Sequence, residues 1–199
     1  MRIIGVTGGV GSGKSEVLHY LSQKHSAGII RLDDLGRRML DPDGEGYAAA
    51  IRIFGNEIVN SDGSLSREKI AAIVYSDREK RFRLNALIHP AVKKAACLEL
   101  EKFRKEDVRL AAIEAALILE EHYDEICDEV WYIYASEEVR RERLMKSRGY
   151  DEARIKNMMS VQLREDEFRS RCDFTVNNNA SFASAAKEIE ERLTVMGII

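Results

Sequence analysis

Only two prolines and three cysteines occur in 199 residues. Cys97, Cys127 and Cys172 lie far apart, in no spacing that suits a metal or a redox pair. They read as reduced, buried thiols of a cytoplasmic protein. No stretch nears the roughly 20 apolar residues of a membrane-spanning helix, so no membrane partner is expected. A signal peptide is not expected either, because Arg2 and the strand after it run straight into a glycine-rich loop. Acidic and basic residues nearly balance, 34 against 31. With no basic stripe among them, nucleic acid is not an expected partner. Repeats and low-complexity tracts are missing as well. What remains is an ordinary globular composition, 45% hydrophobic and 33% charged. A chain of this length buries a sizeable core without disulfides or structural metals.

Short apolar runs punctuate the chain: Arg2 to Val6, Gly28 to Ile30, Val108 to Ile113 and Val130 to Tyr134, with Phe174 to Val176 the weakest. The stronger runs lack polar alternation, as parallel strands buried on both faces do. Helical patterns separate them. Val17, Leu18 and Leu21 line one face, Val92, Ala96, Leu100 and Phe103 a second, and Ala186, Ile189, Leu193 and Met196 a third. Strands alternating with helices predict a wound α/β sheet with right-handed crossovers. Residues 44–104 form a mostly helical insertion longer than a crossover requires. In it Ser61-Asp62-Gly63-Ser64 marks a turn, Ser66 has the look of a helix cap, and Pro90 is expected to stop the helix at His89. Residues 136–171 are densely charged and weakly apolar, which suits a solvated helical pair more than a mobile flap.

One segment carries definite chemistry. Gly8-Gly9-Val10-Gly11-Ser12-Gly13-Lys14-Ser15 satisfies G-x-x-x-x-G-K-[ST], with a strand before it and an amphipathic helix after it. Glycines permit positive φ and let main-chain N–H groups approach phosphate oxygens. The following helix adds its positive end to that cradle. The pattern predicts a nucleoside triphosphate site, with ATP and Mg²⁺ as its occupants. Gly9, Gly11, Ser12, Gly13, Lys14, Ser15 and Glu16 are its candidate contacts. Lys14 reaches the β- and γ-phosphates, and the Ser15 hydroxyl ligates the metal.

The rest of the chain decides what such a site does. No N-K-x-D segment is present to read guanine, and no hydrophobic run ends in the Asp-Glu pair of a motor ATPase. Glu114, ending the third apolar run, is a candidate for the Mg²⁺ environment. Asp33, closing the second, is expected to face the glycine loop, since ligands gather at the carboxyl ends of strands. There it orients or deprotonates an acceptor hydroxyl; equally, Asp33 or Asp34 caps the helix that follows. Arg140, Arg141, Arg143, Arg148 and Arg154 offer charge for a phosphoryl group in transit, though most surface arginines make only weak ion pairs.

Several further motifs together resemble the dephospho-coenzyme A kinase family along nearly the whole chain. They are Gly5 to Ser15, Asp33 with Leu35-Gly36-Arg37, Phe54-Gly55, and Asp62-Gly63-Ser64-Leu65. Asn85-Ala86-Leu87-Ile88-His89-Pro90 follows, and then Gln162, Arg169, Asp173 and Asn178. The resemblance implies phosphorylation of the ribose 3′-hydroxyl of dephospho-coenzyme A by ATP. It also implies a P-loop NTPase-type parallel five-stranded sheet flanked by helices. In that layout residues 1–43, 105–135 and 172–199 form the nucleotide core, 44–104 a helical acceptor-binding insertion, and 136–171 a helical lid. By similarity, Asp33 is the catalytic base or orienting group, Lys14 the phosphate clamp, and Arg143 a lid arginine. Thr7 and His89 belong to the acceptor side, and Asn178 lies near the adenine of ATP. Three positions depart from the family pattern. Arg31 stands where an aspartate is common, Ala116 where a proline is, and Ser147 where the lid carries an arginine. Arg148, one residue on, takes that last role. Two other readings fit the phosphate loop alone: a kinase for a different small molecule, and a nucleotide-binding regulator with little transfer chemistry. A monomer or small homo-oligomer is expected.

Overall fold

The computed structural model of the chain describes residues 1–199. Its strands are β1 (Arg2–Thr7), β2 (Gly28–Arg31), β3 (Leu110–Glu114), β4 (Glu129–Tyr134) and β5 (Phe174–Asn177). They form one parallel sheet in the order β2-β3-β1-β4-β5. Its helices are α1 (Lys14–His25), α2 (Leu32–Met39), α3 (Tyr47–Phe54), α4 (Arg67–Ser76), α5 (Arg78–Lys105), α6 (Glu137–Arg148), α7 (Glu152–Ser160), α8 (Glu165–Arg171) and α9 (Phe182–Val195). None is long and apolar enough to cross a membrane.

The central strands are buried along their lengths, Ile3 to Thr7 in β1 and Leu110 to Ile113 in β3, which is why their sequences do not alternate. β3 starts two residues later than the apolar run does, because Val108 N donates to Phe103 O (3.0 Å) in closing the turn out of α5. The strand therefore ends on Glu114, in register with Val6.

The chain divides into two compact units. The first, residues 1–30 and 103–199, contains the sheet core. There Val17, Leu18 and Leu21 of α1 and Ala185, Ile189 and Leu193 of α9 pack with Ile4, Trp131, Ile133 and Val176 of the strands. Ala185 takes the buried place that the spacing gave to Ala186, which is only half-buried. Residues 136–171 belong to this unit and fold as three short helices rather than a pair. Ser136 Oγ caps α6 by accepting from Val139 N, and Asp151 Oδ1 caps α7 by accepting from Arg154 N. Each helix buries one apolar anchor, Leu144, Ile155 or Phe168. Phe168 stacks on Tyr132 of β4 with centroids 4.6 Å apart. A purely solvated helix would have no such anchor.

The second unit, residues 31–102, has its own small core of Ala50, Phe54, Ile58, Leu65 and Ile70. Ser66 caps α4 as its sequence suggests, accepting from Lys69 N. The turn at Asp62 closes when its carboxylate accepts from Ser64 N and Ser64 Oγ (2.9 and 2.7 Å). Pro90 does not stop α5, which runs from Arg78 to Lys105 through it. Proline removes one hydrogen bond and crowds one carbonyl. In a helix of 28 residues that buries Val92, Ala96 and Leu100 beyond the proline, the loss is local.

The cysteines are less buried than expected. Cys97 is exposed, while Cys127 and Cys172 are half-buried. Burial first, then nearby carboxylates, pushes the Cys127 and Cys172 thiols up to about 12. Both stay protonated and unreactive at neutral pH.

Candidate phosphate-binding site

The site grows from the carboxyl end of the sheet in the first unit. Register sets Val6 beside Glu114, Thr7 beside Tyr132, and Tyr134 beside Asn177, so several strands end at one level. β1 leaves that level through Gly8 and turns into α1. The turn needs φ of 80° at Gly11 and 97° at Gly13, backbone conformations that residues with a Cβ rarely adopt. A Cβ on Gly13 would also collide with the Asn178 side-chain amide. Ser12 N donates to Gly9 O at 3.2 Å, and Glu16 N and Val17 N both donate to Gly13 O, which starts the helix.

Three side chains brace this loop. Lys14 curls back so that Nζ donates to Gly8 O (2.7 Å) and Gly9 O (3.4 Å). Asn178 Nδ2 donates to Ser12 O at 2.9 Å, while Oδ1 of this buried amide has no partner in the protein. Arg143 Nη1 donates to Ser12 O and its Nη2 to Asn178 O, at 3.4 and 2.9 Å. The loop, α6 and the end of β5 are thus tied at one point.

Beside the loop lies a cleft of about 540 Å³ that brings together Lys14, Ser15, Glu16, Glu114, Arg143 and Arg148. Every one of these was singled out by sequence, and they share one cavity. Two further polar atoms fit a ligand site: Thr7 Oγ1 and Ser12 Oγ are buried and have no partner in the protein. An unpaired buried hydroxyl costs about 1–3 kcal/mol, a cost that folding alone gives no reason to keep. Ser15 and Glu114 supply a hydroxyl and a carboxylate, the hard oxygen donors that suit Mg²⁺ with phosphate and water completing its shell.

Asp33 and His89 lie in the second unit. Asp33 is not at a strand end: β2 stops at Arg31, and Asp33 is an exposed residue of the first turn of α2. Neither Asp33 nor Asp34 caps that helix. Arg31 holds the cap position without a side-chain bond, and Asp34 pairs with Arg37 at 3.0 Å. His89 is half-buried on α5. Arg140 and Gln162, named from the sequence without a place, meet at the loop: Gln162 Oε1 accepts from Val10 N at 3.1 Å and from Arg140 Nη1 at 3.4 Å. The available signal was that Arg140 precedes Arg143 by three residues, hence on the same helix face.

The sequence model of the family described as dephospho-CoA kinase (CoaE) matches residues 2–184. A dephospho-CoA kinase of Dehalococcoides mccartyi is 33% identical over 92% of this chain and 91% of its own. A Thermus thermophilus crystal structure superposes with a TM-score of 0.84 at 27% identity, covering 97% of this chain and 96% of that one. A dephospho-CoA kinase structure from Campylobacter jejuni shares the fold, with a TM-score of 0.72 at 19% identity and 98% coverage of both chains. A phosphate loop at the carboxyl end of a parallel sheet is common to many kinases. A family match spanning almost every element, the helical second unit included, is not. The chain belongs to the dephospho-CoA kinase family.

Proposed function

We propose that the chain transfers the γ-phosphate of ATP to the ribose 3′-hydroxyl of dephospho-coenzyme A, giving coenzyme A. Kinases of this family take their phosphate from ATP. The observation that carries the reading for this chain is the cleft that gathers Lys14, Ser15, Glu114 and two α6 arginines beside the phosphate loop.

Each residue then has a task. The loop's N–H groups, Lys14 and the α1 end hold the phosphates, with Lys14 exchanging its carbonyl partners for phosphate oxygens. Ser15 and Glu114 would hold Mg²⁺, which would offset the charge of the phosphates. Glu16 lies on the α1 side of the nucleotide. Arg143 and Arg148 add positive charge at the cleft, where it stabilises the phosphoryl group in transit. Asp33 accepts the proton of the acceptor hydroxyl or orients it for in-line attack, with Thr7 and His89 on the acceptor side. Asn178 supports the loop through Nδ2 to Ser12 O, and its buried Oδ1, which has no partner in the protein, is left for the adenine of ATP. Residues 44–104 receive the acceptor and 136–171 act as the lid, in a cytoplasmic monomer or small homo-oligomer.

The test is direct. The purified protein is incubated with Mg-ATP and dephospho-coenzyme A, with AMP, CMP and adenosine as parallel acceptors, and products are weighed by mass spectrometry. The expected result is one added phosphate on dephospho-coenzyme A alone. Transfer to another acceptor would replace the substrate, and ATP binding with no transfer would make the chain a regulator.

A further inference from the structure

α6 carries five cations, and four of them are engaged within the protein. Arg140 Nη1 donates to Gln162 Oε1 at 3.4 Å, and Arg141 pairs with Glu152. Arg143 Nη2 donates to Asn178 O at 2.9 Å, and Lys146 pairs with Glu142 at 2.5 Å. Arg148, the last residue of the helix, lines the cleft beside Lys14 and Ser15 with no carboxylate paired to it. Its neighbour is a neutral group. Gly149 closes α6 at φ 62°, its N–H on Met145 O at 3.1 Å, and beyond that turn the Tyr150 hydroxyl meets the Arg148 guanidinium. Farther on, Asp151 caps α7, and the Arg154 guanidinium lies 3.9 Å from the centroid of the Tyr150 ring. The bond to Arg148, and behind it the charge of Arg154, hold the phenol below the ordinary tyrosine value of 10, as two cations around one hydroxyl should.

We propose that Tyr150 is a positioning residue for Arg148: its hydroxyl aims the guanidinium at the cleft, and Arg154 holds the ring that carries it. The inference rests on the reading of the cleft as a nucleoside triphosphate site, and adds what keeps an exposed arginine pointed there. An arginine at a helix end has many rotamers, so an unguided one spends little time in any single direction. A carboxylate would fix it but cancel its charge, as Glu152 does for Arg141. A phenol hydroxyl accepts one N–H, leaves the charge whole, and leaves the other donors of the fork free. The ring in turn is fixed from its face by Arg154, well inside the distance of about 6 Å at which a cation is attracted to it. Gly149 stands between the two residues because the turn needs positive φ.

The competing explanation is that Tyr150 and Arg154 only brace the turn between α6 and α7. A double-mutant cycle separates the two, read as Mg-ATP affinity by calorimetry at about 0.15 M salt, where distant charges are screened. Arg148→Ala is expected to weaken Mg-ATP about tenfold. Tyr150→Phe keeps the ring for Arg154, removes only the hydroxyl, and is expected to weaken it about fourfold. In the Arg148→Ala background, Tyr150→Phe is expected to change affinity by less than about 1.5-fold, because nothing is left to aim. Arg154→Ala is expected to follow Tyr150→Phe in both backgrounds, with the thermal melts of all these variants unchanged. A brace alone predicts a lowered melting temperature and losses that multiply when Tyr150→Phe is combined with Arg148→Ala. Multiplied losses, or wild-type affinity in either Tyr150→Phe or Arg148→Ala, overturn the proposal. Transfer to dephospho-coenzyme A, followed on the same proteins, judges the kinase reading separately, because the binding cycle contains no acceptor.

Discussion

Lys14 shows what a single residue contributes before any ligand arrives. Its ammonium already bonds the carbonyls of Gly8 and Gly9, so it shapes the loop as well as waiting for phosphate. Lys14→Ala removes both roles. Charge-assisted hydrogen bonds are worth about 1.5–3 kcal/mol each, so ATP affinity is expected to fall at least tenfold and turnover about a hundredfold or more. Asp33 differs, because its proposed role exists only during transfer. Asp33→Asn is expected to lower kcat about a hundredfold with ATP affinity nearly unchanged, read by steady-state kinetics beside equilibrium binding. Wild-type turnover in that variant would remove Asp33 from the chemistry. The loop side of the site was legible because its residues are contiguous and each glycine has a steric reason. Asp33 could be singled out but not placed: two residues of strand or of helix read alike at a strand's end. Arg140 and Gln162 lie 22 positions apart and meet only through the fold.

At the scale of elements, burial on both faces made the strands legible, and the helices of the first unit followed from their apolar spacing. Pro90 misled because a local rule about one hydrogen bond was set against a helix held by many. The charged stretch misled because charge hides the single buried anchor of each short helix. The join of α1 to α9 was invisible for another reason: it depends on pairs more than 160 positions apart. There Glu190 accepts from Tyr20 OH (2.8 Å), meets His25 Nε2 (2.6 Å), and pairs with Lys24 (3.2 Å). Partial burial pushes the Glu190 carboxyl up, but the bonds from Tyr20, His25 and Lys24 outweigh it and hold it below the ordinary glutamate value of 4.5. A depressed folded-state value means stability that is present above 4.5 and lost as pH falls through the folded-state value. Thermal melts of the wild type and Glu190→Gln are expected to differ at about pH 6 and to draw together as pH falls below 4.5. A gap that stays constant over that range would mean the carboxylate's charge contributes nothing to the join.

Over the whole molecule, the unequal size of the two cores is the feature that composition could not reveal. The first unit buries a cluster of fifteen residues around Trp131, and the second a cluster of five around Phe54. A small cluster of its own offsets less of the ordering entropy of a chain, so the second unit is expected to open first. The single tryptophan makes this measurable. Trp131 is fully buried in the first unit, edge-on to Phe174 at 5.4 Å, and reports that core alone. Far-UV circular dichroism also draws on α2, α3, α4 and most of α5, which belong to the second unit. In urea, ellipticity is expected to fall first, with its midpoint about 0.5 M or more below that of the Trp131 emission shift. Phe54→Ala, which opens a cavity in the smaller core, should widen the separation by lowering only the earlier transition. Coincident midpoints in both proteins would show that the two cores unfold as one cooperative body, and that the five-residue cluster draws its stability from the larger one.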